Sequence, residues 1–390
     1  MISLVLYCLT LGMIKDALIQ KKETNRKYKI IGFKDEINVE EGGSILKSHN
    51  IKIKKFLPLA NACLCELSEK TQTFENLAAD DDVEFIEEDY IAQIQVLPST
   101  TRSYNIQSQS IPWGIQRVEA PKVWETCRGK DVKVGIIDTG VQQSHPDLQD
   151  NIKSIHGVMD NEKVNDDNGH GTHVAGIIAA LDNNIGVVGV APDVQIYSVK
   201  AFDHNGRGRV SDIIDALNWC VENQVNIVNM SFGISMKSIA LERAVRAANN
   251  RNIILVAASG NSGGKDSVLY PAKYSEVIAV AASDVDDKAA QFSSGGPEIN
   301  IIAPGVNITS TYNDKGYKPL SGTSMACPHV TGACALLMSV SKANAENVKS
   351  AILNTAKDIG LPKEMQGAGL VSASAAVSNI KKSKGGFLSE

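Results

Sequence analysis

The chain has 390 residues and a formal net charge of −5, with 43% hydrophobic and 21% charged residues. This balance is that of a globular protein, and the length allows one large domain with a smaller partner. The negative charge and the lack of a polybasic patch exclude a general nucleic-acid binder and a protein drawn to anionic membranes.

The first residues are apolar. Residues 2–14 have the length of a secretion signal and are too short to span a bilayer as a helix. No Lys or Arg precedes the run and no clear A-x-A cleavage site follows it. Residues 1–27 are therefore interpreted as an imperfect signal or leader, which predicts a secreted, extracellular protein, and a misassigned start codon is the alternative. We find no other segment that could cross a membrane.

Residues 28–95 have the pattern of a small α+β domain, with apolar alternating runs and two segments of helical spacing. Strands are predicted over 28–33, 51–59, 60–67 and 83–93, and helices over 37–47 and 71–79. The polar segment 96–108 follows and is predicted to be a linker.

From residue 109 to residue 380, short apolar runs alternate with amphipathic segments. This alternation predicts an α/β domain with a mostly parallel sheet and helices on both faces. In such sheets the chemistry lies beyond the carboxyl ends of the strands. Strands are predicted over 131–138, 195–200, 225–230, 253–257, 277–281 and 299–302, and helices over 211–222 and 236–250. Residues 381–390 are predicted to be a polar tail.

The seven cysteines are odd in number and scattered, so they do not form a disulfide framework. Cys63 and Cys65 share one face of a predicted strand, and Cys327 and Cys334 share one face of a predicted helix. Buried free thiols are the favoured interpretation. A disulfide or a redox role is the alternative.

Three polar side chains stand at the ends of predicted elements. Asp138 ends the strand VKVGIID, His170 stands where a polar loop enters the helix VAGIIAAL, and Ser324 begins a helical run. Each has an ordinary interpretation as a turn or cap residue. His170 and His173 could also form a metal pair, but HGTH lacks the glutamate of the H-E-x-x-H zinc pattern.

Together these three residues have the composition that nucleophilic catalysis needs. A serine hydroxyl becomes a good nucleophile when an imidazole takes its proton, and a carboxylate must orient that imidazole and stabilise its charged form. A helix start at Ser324 would favour developing negative charge. The order Asp, His, Ser differs from that of α/β-hydrolases and chymotrypsin-like enzymes.

The motifs DTG at Asp138, HGTHVAG at His170 and GTSMACPH at Ser324 resemble the signature blocks of the subtilisin-like serine proteases. The resemblance is almost continuous over residues 108–378. It implies an endopeptidase that works through an acyl-enzyme, with these three residues as the triad and Asn261 as an oxyanion donor. An esterase or peptide-transferring relative and a non-catalytic binding protein are the alternatives.

The resemblance also implies that substrate peptides bind in extended form between two edges, with the primary specificity pocket between them. Apolar walls and the lack of an acidic residue at Ser262 predict large apolar residues before the cleaved bond, although Leu269 at the pocket floor would make the pocket shallower. The implied edge residues are Ser231, Phe232, Gly233, Ala258, Ser259 and Gly260.

A structural Ca²⁺ site is implied around the segment LDNNIGVVG. Its ligands would all be hard oxygens, which suit Ca²⁺, and an ordinary turn is the alternative. The implied ligands are the side chains of Gln109, Asp147 and Asn183 and the backbone oxygens of Leu181, Ile185 and Val187.

Residues 28–95 resemble the inhibitory propeptide of the family, which implies a ferredoxin-like unit that blocks its own enzyme until self-cleavage between Gln95 and Gln109. Glu87, Glu88 and Asp89 are predicted to face helix N-termini, where anions are favoured. A separate binding domain without a processing role is the alternative. The expected partners are thus polypeptide substrates and the chain's own propeptide, and a monomer is the default expectation.

Overall fold

The computed structural model describes residues 28–67, 72–159, 164–341 and 343–385. The predicted signal, residues 1–27, lies outside the described residues, as do residues 386–390 of the predicted tail.

The amino-terminal unit has an antiparallel sheet with the strand order β2-β3-β1-β4, the ferredoxin-like arrangement that was predicted. Its first helix begins in a capping box, because Asn38 accepts from the backbone of Glu41 while the Glu41 side chain accepts from the backbone of Asn38. The elements are β1 (Tyr28–Phe33), α1 (Val39–Ser48), β2 (Lys52–Leu57), β3 (Ala62–Glu66), α2 (Gln72–Ala78) and β4 (Val83–Glu88).

The predicted strand over residues 83–93 is two strands. Its second part, β5 (Ile91–Ile94), leaves the small sheet and lies between two short strands of the larger domain, β9 (Arg207–Arg209) and β11 (Phe232–Gly233). Both pairings are antiparallel. The chain therefore passes from the small unit onto the surface of the larger domain as an added strand.

The larger domain contains a seven-stranded sheet in the order β14-β13-β12-β10-β6-β8-β7, and all its pairings are parallel. Six of these strands match predicted ones. The prediction missed β7, an edge strand whose sequence IKSIHG is only partly apolar and only partly buried. The strands are β6 (Lys133–Asp138), β7 (Ile152–Gly157), β8 (Gln195–Lys200), β10 (Ile227–Met230), β12 (Ile254–Ala258), β13 (Val277–Ser283) and β14 (Ile301–Pro304).

Helices cover both faces of this sheet, as predicted. Neighbouring residues of β6 point to opposite faces, so Ile136 packs in the core on one side and Ile137 in the core on the other. The helices are α3 (Trp113–Arg117), α4 (His170–Ala179), α5 (Val210–Glu222), α6 (Ile239–Asn249), α7 (Thr323–Ser341), α8 (Ala345–Asn354), α9 (Lys363–Gln366) and α10 (Ala373–Gly385), with a hairpin of β15 (Ile308–Thr311) and β16 (Tyr317–Leu320) before α7. Since α10 continues to residue 385, the predicted tail is helical in its first half.

One described helix, α7, is long and apolar enough to cross a membrane by length and composition, which the sequence analysis did not identify. Within the window Thr323–Val340, however, 83% of the residues are buried inside the fold. Its apolar side chains therefore belong to the protein core.

The six described cysteines are buried and unpaired, which confirms the favoured interpretation for them. Burial raises the pKa of the Cys334 thiol to about 12, since the thiolate would lose its hydration. These thiols act as small core side chains.

The contact between α7 and the loop before β8 generates a stability prediction. A Cβ atom on Gly332 would lie 2.5 Å from the Cβ of Val190. Because a Cβ at 2.5 Å forces its surroundings to shift, we expect Gly332→Ala to lose an amount near the upper end of about 1–3 kcal/mol to overpacking. This loss exceeds the gain of about 1 kcal/mol in helix propensity, so the thermal midpoint should fall. The double variant Gly332→Ala with Val190→Ala should regain part of the loss. A single variant as stable as the parent would contradict this packing.

Candidate functional site

Asp138 and His170 form a buried pair at the carboxyl edge of the sheet. Asp138 is the last residue of β6 and His170 the first of α4, and 2.6 Å separates Asp138 Oδ1 from His170 Nδ1. The helix can approach the strand end this closely because a glycine follows the histidine. A Cβ on Gly171 would lie only 2.1 Å from the carbonyl oxygen of Gly140.

A second carboxylate, which the sequence analysis did not single out, holds the start of α4. Asp166 accepts from the backbone of Gly169 and Thr172 and from the Thr139 hydroxyl. Its burial raises the pKa of this carboxyl group, and these hydrogen bonds oppose that rise. The available signal was its position, since an aspartate just before a helix commonly caps it.

Ser324 is the second residue of α7, where backbone N–H groups have no intrahelical acceptor. Pro328, four residues later, has no N–H and so leaves the Ser324 carbonyl oxygen free. The Ser231 hydroxyl donates to that oxygen at 3.1 Å. Ser231 follows β10, the neighbour of β6, so Ser324 and Asp138 lie at the same edge of the sheet.

The Ser324 hydroxyl is not hydrogen-bonded to the imidazole of His170 in this structure. It donates to the carbonyl oxygen of Ser231 at 2.7 Å and accepts from the backbone N–H of Gln95 at 3.0 Å. His170 Nε2 is buried and has no hydrogen-bond partner among the described residues. Of the three predicted residues, the structure pairs Asp138 with His170, while Ser324 is engaged by the backbone of Gln95.

Asn261 lies beside Ser324 with its amide fixed in orientation. Its Oδ1 accepts from the backbone N–H and the hydroxyl of Thr323, at 2.9 and 3.0 Å. Its Nδ2 is buried without an acceptor in the described part of the chain. The backbone N–H of Ser324 donates to the carbonyl oxygen of Gln95 at 3.1 Å. A Cβ built on Gly322 would lie 2.3 Å from this oxygen and 3.2 Å from Asn261 Nδ2, so the amide, the Ser324 N–H and the Gln95 carbonyl converge on one small region.

One of the two predicted edges pairs with the bound segment. Phe232–Gly233 pairs with residues 93–94, and the Ser231 carbonyl accepts from the Gln95 backbone. Ala258–Gly260 does not pair with β5. Ser259 bonds to the backbone of Val280, and Gly260 to the Thr323 hydroxyl.

The second edge is β9, which the sequence analysis missed because three residues with two arginines do not have a strand pattern. Its pairing with residues 91–93 is visible only once the chain is folded. The other predicted edge, Ala258 to Gly260, forms a wall of the predicted specificity pocket instead. Leu269 packs between Gly260 of this wall and Gly233.

The predicted Ca²⁺ ligands come together around residues 181–187. The Gln109 amide donates to the Leu181 carbonyl at 2.7 Å, and Asn183 Oδ1 accepts from the Ile185 backbone at 3.2 Å. Asp147 Oδ2 accepts from the Val187 N–H, while its buried Oδ1 has no partner within the described ranges. Burial raises the pKa of the Asp147 carboxyl group to about 6.

His173 is not arranged as a metal partner of His170. Its Nε2 lies 2.9 Å from the carbonyl oxygens of both Ile308 and Lys318, which require that nitrogen to carry a proton. Burial lowers the pKa of this imidazole to about 3, so it is neutral. His173 thus connects α4 to the β15–β16 hairpin.

Two of the three predicted acidic residues reach helix N-termini. Glu87 accepts from the backbone of Ile239 and Ala240 at the start of α6, and Asp89 accepts from the backbone and hydroxyl of Ser211 in α5. The prediction was wrong for Glu88, which pairs with Lys29 inside the small unit. Neighbouring strand residues point in opposite directions, so Glu88 cannot face the same way as its neighbours.

Comparison with known proteins gives a consistent picture. The family model described as Subtilase family matches residues 129–369. Subtilisin BL of Lederbergia lenta is 45% identical over 273 residues, covering 69% of this chain and 99% of the relative. An alkaline protease of Alkalihalobacillus alcalophilus is 38% identical over 369 residues, covering 91% of this chain and 92% of the relative. Subtilisin E of Bacillus subtilis is 39% identical, covering 82% of each chain.

These matches extend through the sheet, the helix that begins at His170 and the helix that carries Ser324. The chain therefore belongs to the subtilase family and is a serine endopeptidase that acts on polypeptides.

Proposed function

We propose that Ser324 is the nucleophile of this endopeptidase, that His170 is its general base and then its general acid, and that Asp138 orients His170. The buried contact of 2.6 Å between Asp138 and His170 Nδ1 supports the last role, since it leaves Nε2 as the basic nitrogen. Rotation of the Ser324 hydroxyl from the Ser231 carbonyl toward Nε2 would begin the proton transfer.

Asn261 and the Ser324 N–H are proposed to stabilise the oxyanion that forms when the carbonyl is attacked. The observation that carries this proposal is the carbonyl oxygen of Gln95, which accepts from the Ser324 N–H at 3.1 Å beside the Asn261 amide. The site thus holds a peptide carbonyl where a substrate carbonyl would react. Donors fixed in advance at this place lower the energy of the transition state.

The small unit is proposed to inhibit the enzyme as a propeptide. Three contacts support this role: β5 occupies the peptide-binding edges, Glu87 and Asp89 cap two helices, and Gln95 covers Ser324. The apolar run over residues 2–14 supports export to the extracellular space. The domain boundaries near residues 95 and 109 are part of the same proposal, with residues 96–108 as the linker.

Replacing Ser324 should block maturation and leave folding intact. Expressed side by side, the parent chain should shorten as its propeptide is removed, while Ser324→Ala should stay at full length. Asn261→Ala should mature and cleave casein about 10²–10³-fold more slowly, which is the loss known when a subtilisin loses such a donor. Ser275→Ala, at an exposed serine, is the control and should behave as the parent. Shortening of Ser324→Ala at the parental rate would argue against self-cleavage.

A structural Ca²⁺ ion is also proposed, and the residues around 181–187 fit it. Asp147 Oδ1 is buried and has no hydrogen-bond partner among the described residues, and the neighbouring groups that could coordinate an ion are amide and carbonyl oxygens, which Ca²⁺ prefers. Asp147 would supply the charge, with the Gln109 and Asn183 side chains and three backbone oxygens around it. The ion would tie the segment at Gln109 to the loop that follows α4.

Calcium binding can be tested in the Ser324→Ala chain, which does not digest itself. We expect the melting temperature to be about 5 °C higher in Ca²⁺ than in a chelator. Asp147→Asn should lose most of this difference, while Asp150→Asn, at an exposed neighbour, should keep it.

Burial raises the pKa of the Asp147 carboxyl group to about 6, and Ca²⁺ binds the ionised carboxylate. The difference in melting temperature between Ca²⁺ and chelator should therefore be complete at pH 8 and fade as the pH falls through 6. An equal Ca²⁺ effect in both aspartate variants would contradict this site.

A further inference from the structure

We propose that this protease cleaves after glutamine, that Leu269 sets this preference, and that the first bond it cuts is the Gln95–Val96 bond of its own chain. The proposal rests on the serine-protease function and names its substrate. It differs from the large apolar preference that the sequence predicted.

The position of the bond follows from contacts on both sides of it. The Gln95 N–H donates to the Ser324 hydroxyl oxygen at 3.0 Å, and the Gln95 carbonyl oxygen accepts from the Ser324 N–H at 3.1 Å. Two residues later, the Leu97 N–H donates to the Ser321 carbonyl at 2.8 Å. The backbone is held before and after the Gln95 carbonyl carbon, so the bond presented to the nucleophile is the one to Val96.

The Gln95 side chain uses both ends of its amide. Its Oε1 accepts from the backbone N–H of Asn261 at 3.1 Å, and its Nε2 donates to the Gln93 carbonyl at 2.9 Å. A glutamate would lack the donor and would bring negative charge toward the Gln93 oxygen. A leucine or phenylalanine would leave the Asn261 N–H without this acceptor, and sites built on such hydrogen bonds discriminate strongly against analogues that lack them.

Leu269 occupies the space in which a large apolar side chain would lie. A Cβ on Gly233 would be 2.5 Å from Leu269 Cδ1, and a Cβ on Gly260 would be 2.9 Å from Leu269 Cγ. The leucine therefore touches both walls of the pocket, and only part of its own surface is exposed. An aromatic ring entering between these walls would have to displace it, whereas the Gln95 amide accepts from the N–H of Asn261, next to Gly260, and donates to the Gln93 carbonyl of its own strand.

The cleavage step balances with the groups present. The Ser324 oxygen forms a bond to the Gln95 carbonyl carbon while its proton passes to His170 Nε2. That proton then moves to the Val96 nitrogen as the Gln95–Val96 bond breaks, and Gln95 is left as an ester of Ser324. Water hydrolyses the ester, which gives the Gln95 carboxylate and restores the serine hydroxyl.

The preference can be tested with hexapeptides that copy residues 92–97 and carry glutamine, glutamate, leucine or phenylalanine at the position of Gln95. With rates normalised by active-site titration, the mature enzyme should cleave the glutamine peptide with a kcat/KM at least about tenfold above the others. Leu269→Gly should raise kcat/KM for the phenylalanine peptide at least about tenfold relative to that for the glutamine peptide.

Leu269→Ala should show the same trend, and Val285→Ala, at an exposed side chain, should show no change. A parent enzyme that prefers phenylalanine or leucine would overturn the proposal. So would Leu269 variants whose selectivity equals that of the parent.

The same preference should appear in maturation. Mass spectrometry of the first cleavage product should find a new amino terminus at Val96. Gln95→Phe should slow this cleavage about tenfold or more, and adding Leu269→Gly should restore it. A first cut at another bond would overturn the proposal while leaving the protease function intact. If the parent protein cleaved neither the peptides nor its own chain, the protease function itself would be refuted.

Discussion

The first turn of α7 carries backbone N–H groups that have no intrahelical acceptor, and the site is arranged around them. Thr323 gives its N–H to Asn261, which fixes the amide, and Ser324 gives its N–H to the carbonyl of Gln95. Pro328 extends this arrangement, because its missing N–H lets Ser231 bind the Ser324 carbonyl. The start of α7 thus carries the proposed nucleophile Ser324 and holds both the Asn261 amide and the Gln95 carbonyl beside it.

The same physical feature holds the small unit in place. Three helix starts of the larger domain face it: α5 receives Asp89, α6 receives Glu87 and α7 receives the Gln95 carbonyl. Each start has free N–H groups and a positive dipole end, which favour carboxylates and carbonyl oxygens. Between Glu87 and Gln95 in the chain, β5 adds backbone pairing with β11 on one side and with β9 on the other. The strand β5 itself therefore docks through backbone groups, which a peptide of different sequence could also use, while the proposed selectivity is assigned to the pocket at Leu269.

The linker, residues 96–108, lets the chain contact Ser324 and the proposed calcium loop at the same time. Gln95 lies at Ser324 while Gln109 already contacts Leu181 in the proposed calcium loop. Between them Tyr104 pairs with Tyr317 in both directions, which holds the linker along the hairpin. In the uncut chain, the proposed calcium loop is thus already in contact with Gln109 while the small unit remains on the larger domain.

Much of the fold could be predicted because its buried strands are continuous apolar runs with glycine or polar residues at their ends. The motifs at Asp138, His170 and Ser324 could be placed for the same reason, since each marks the end of a strand or the start of a helix. β7 and β9 could not be predicted, because an edge strand and a three-residue strand owe their conformation to partners far away in the chain. Glu88 was assigned wrongly for a local reason, since it alternates away from the side that its neighbours face.

Activation of Ser324 by the His170–Asp138 pair is the proposal on which the mechanism depends. The most direct measurement is the rate at which a fluorophosphonate probe labels the mature enzyme, with the modified residue identified by mass spectrometry. We expect a single adduct on Ser324, formed at least about a thousandfold more slowly in a folded His170→Ala variant from which the small unit has been removed with an added protease. An adduct on another residue, or equal rates in the two proteins, would contradict it.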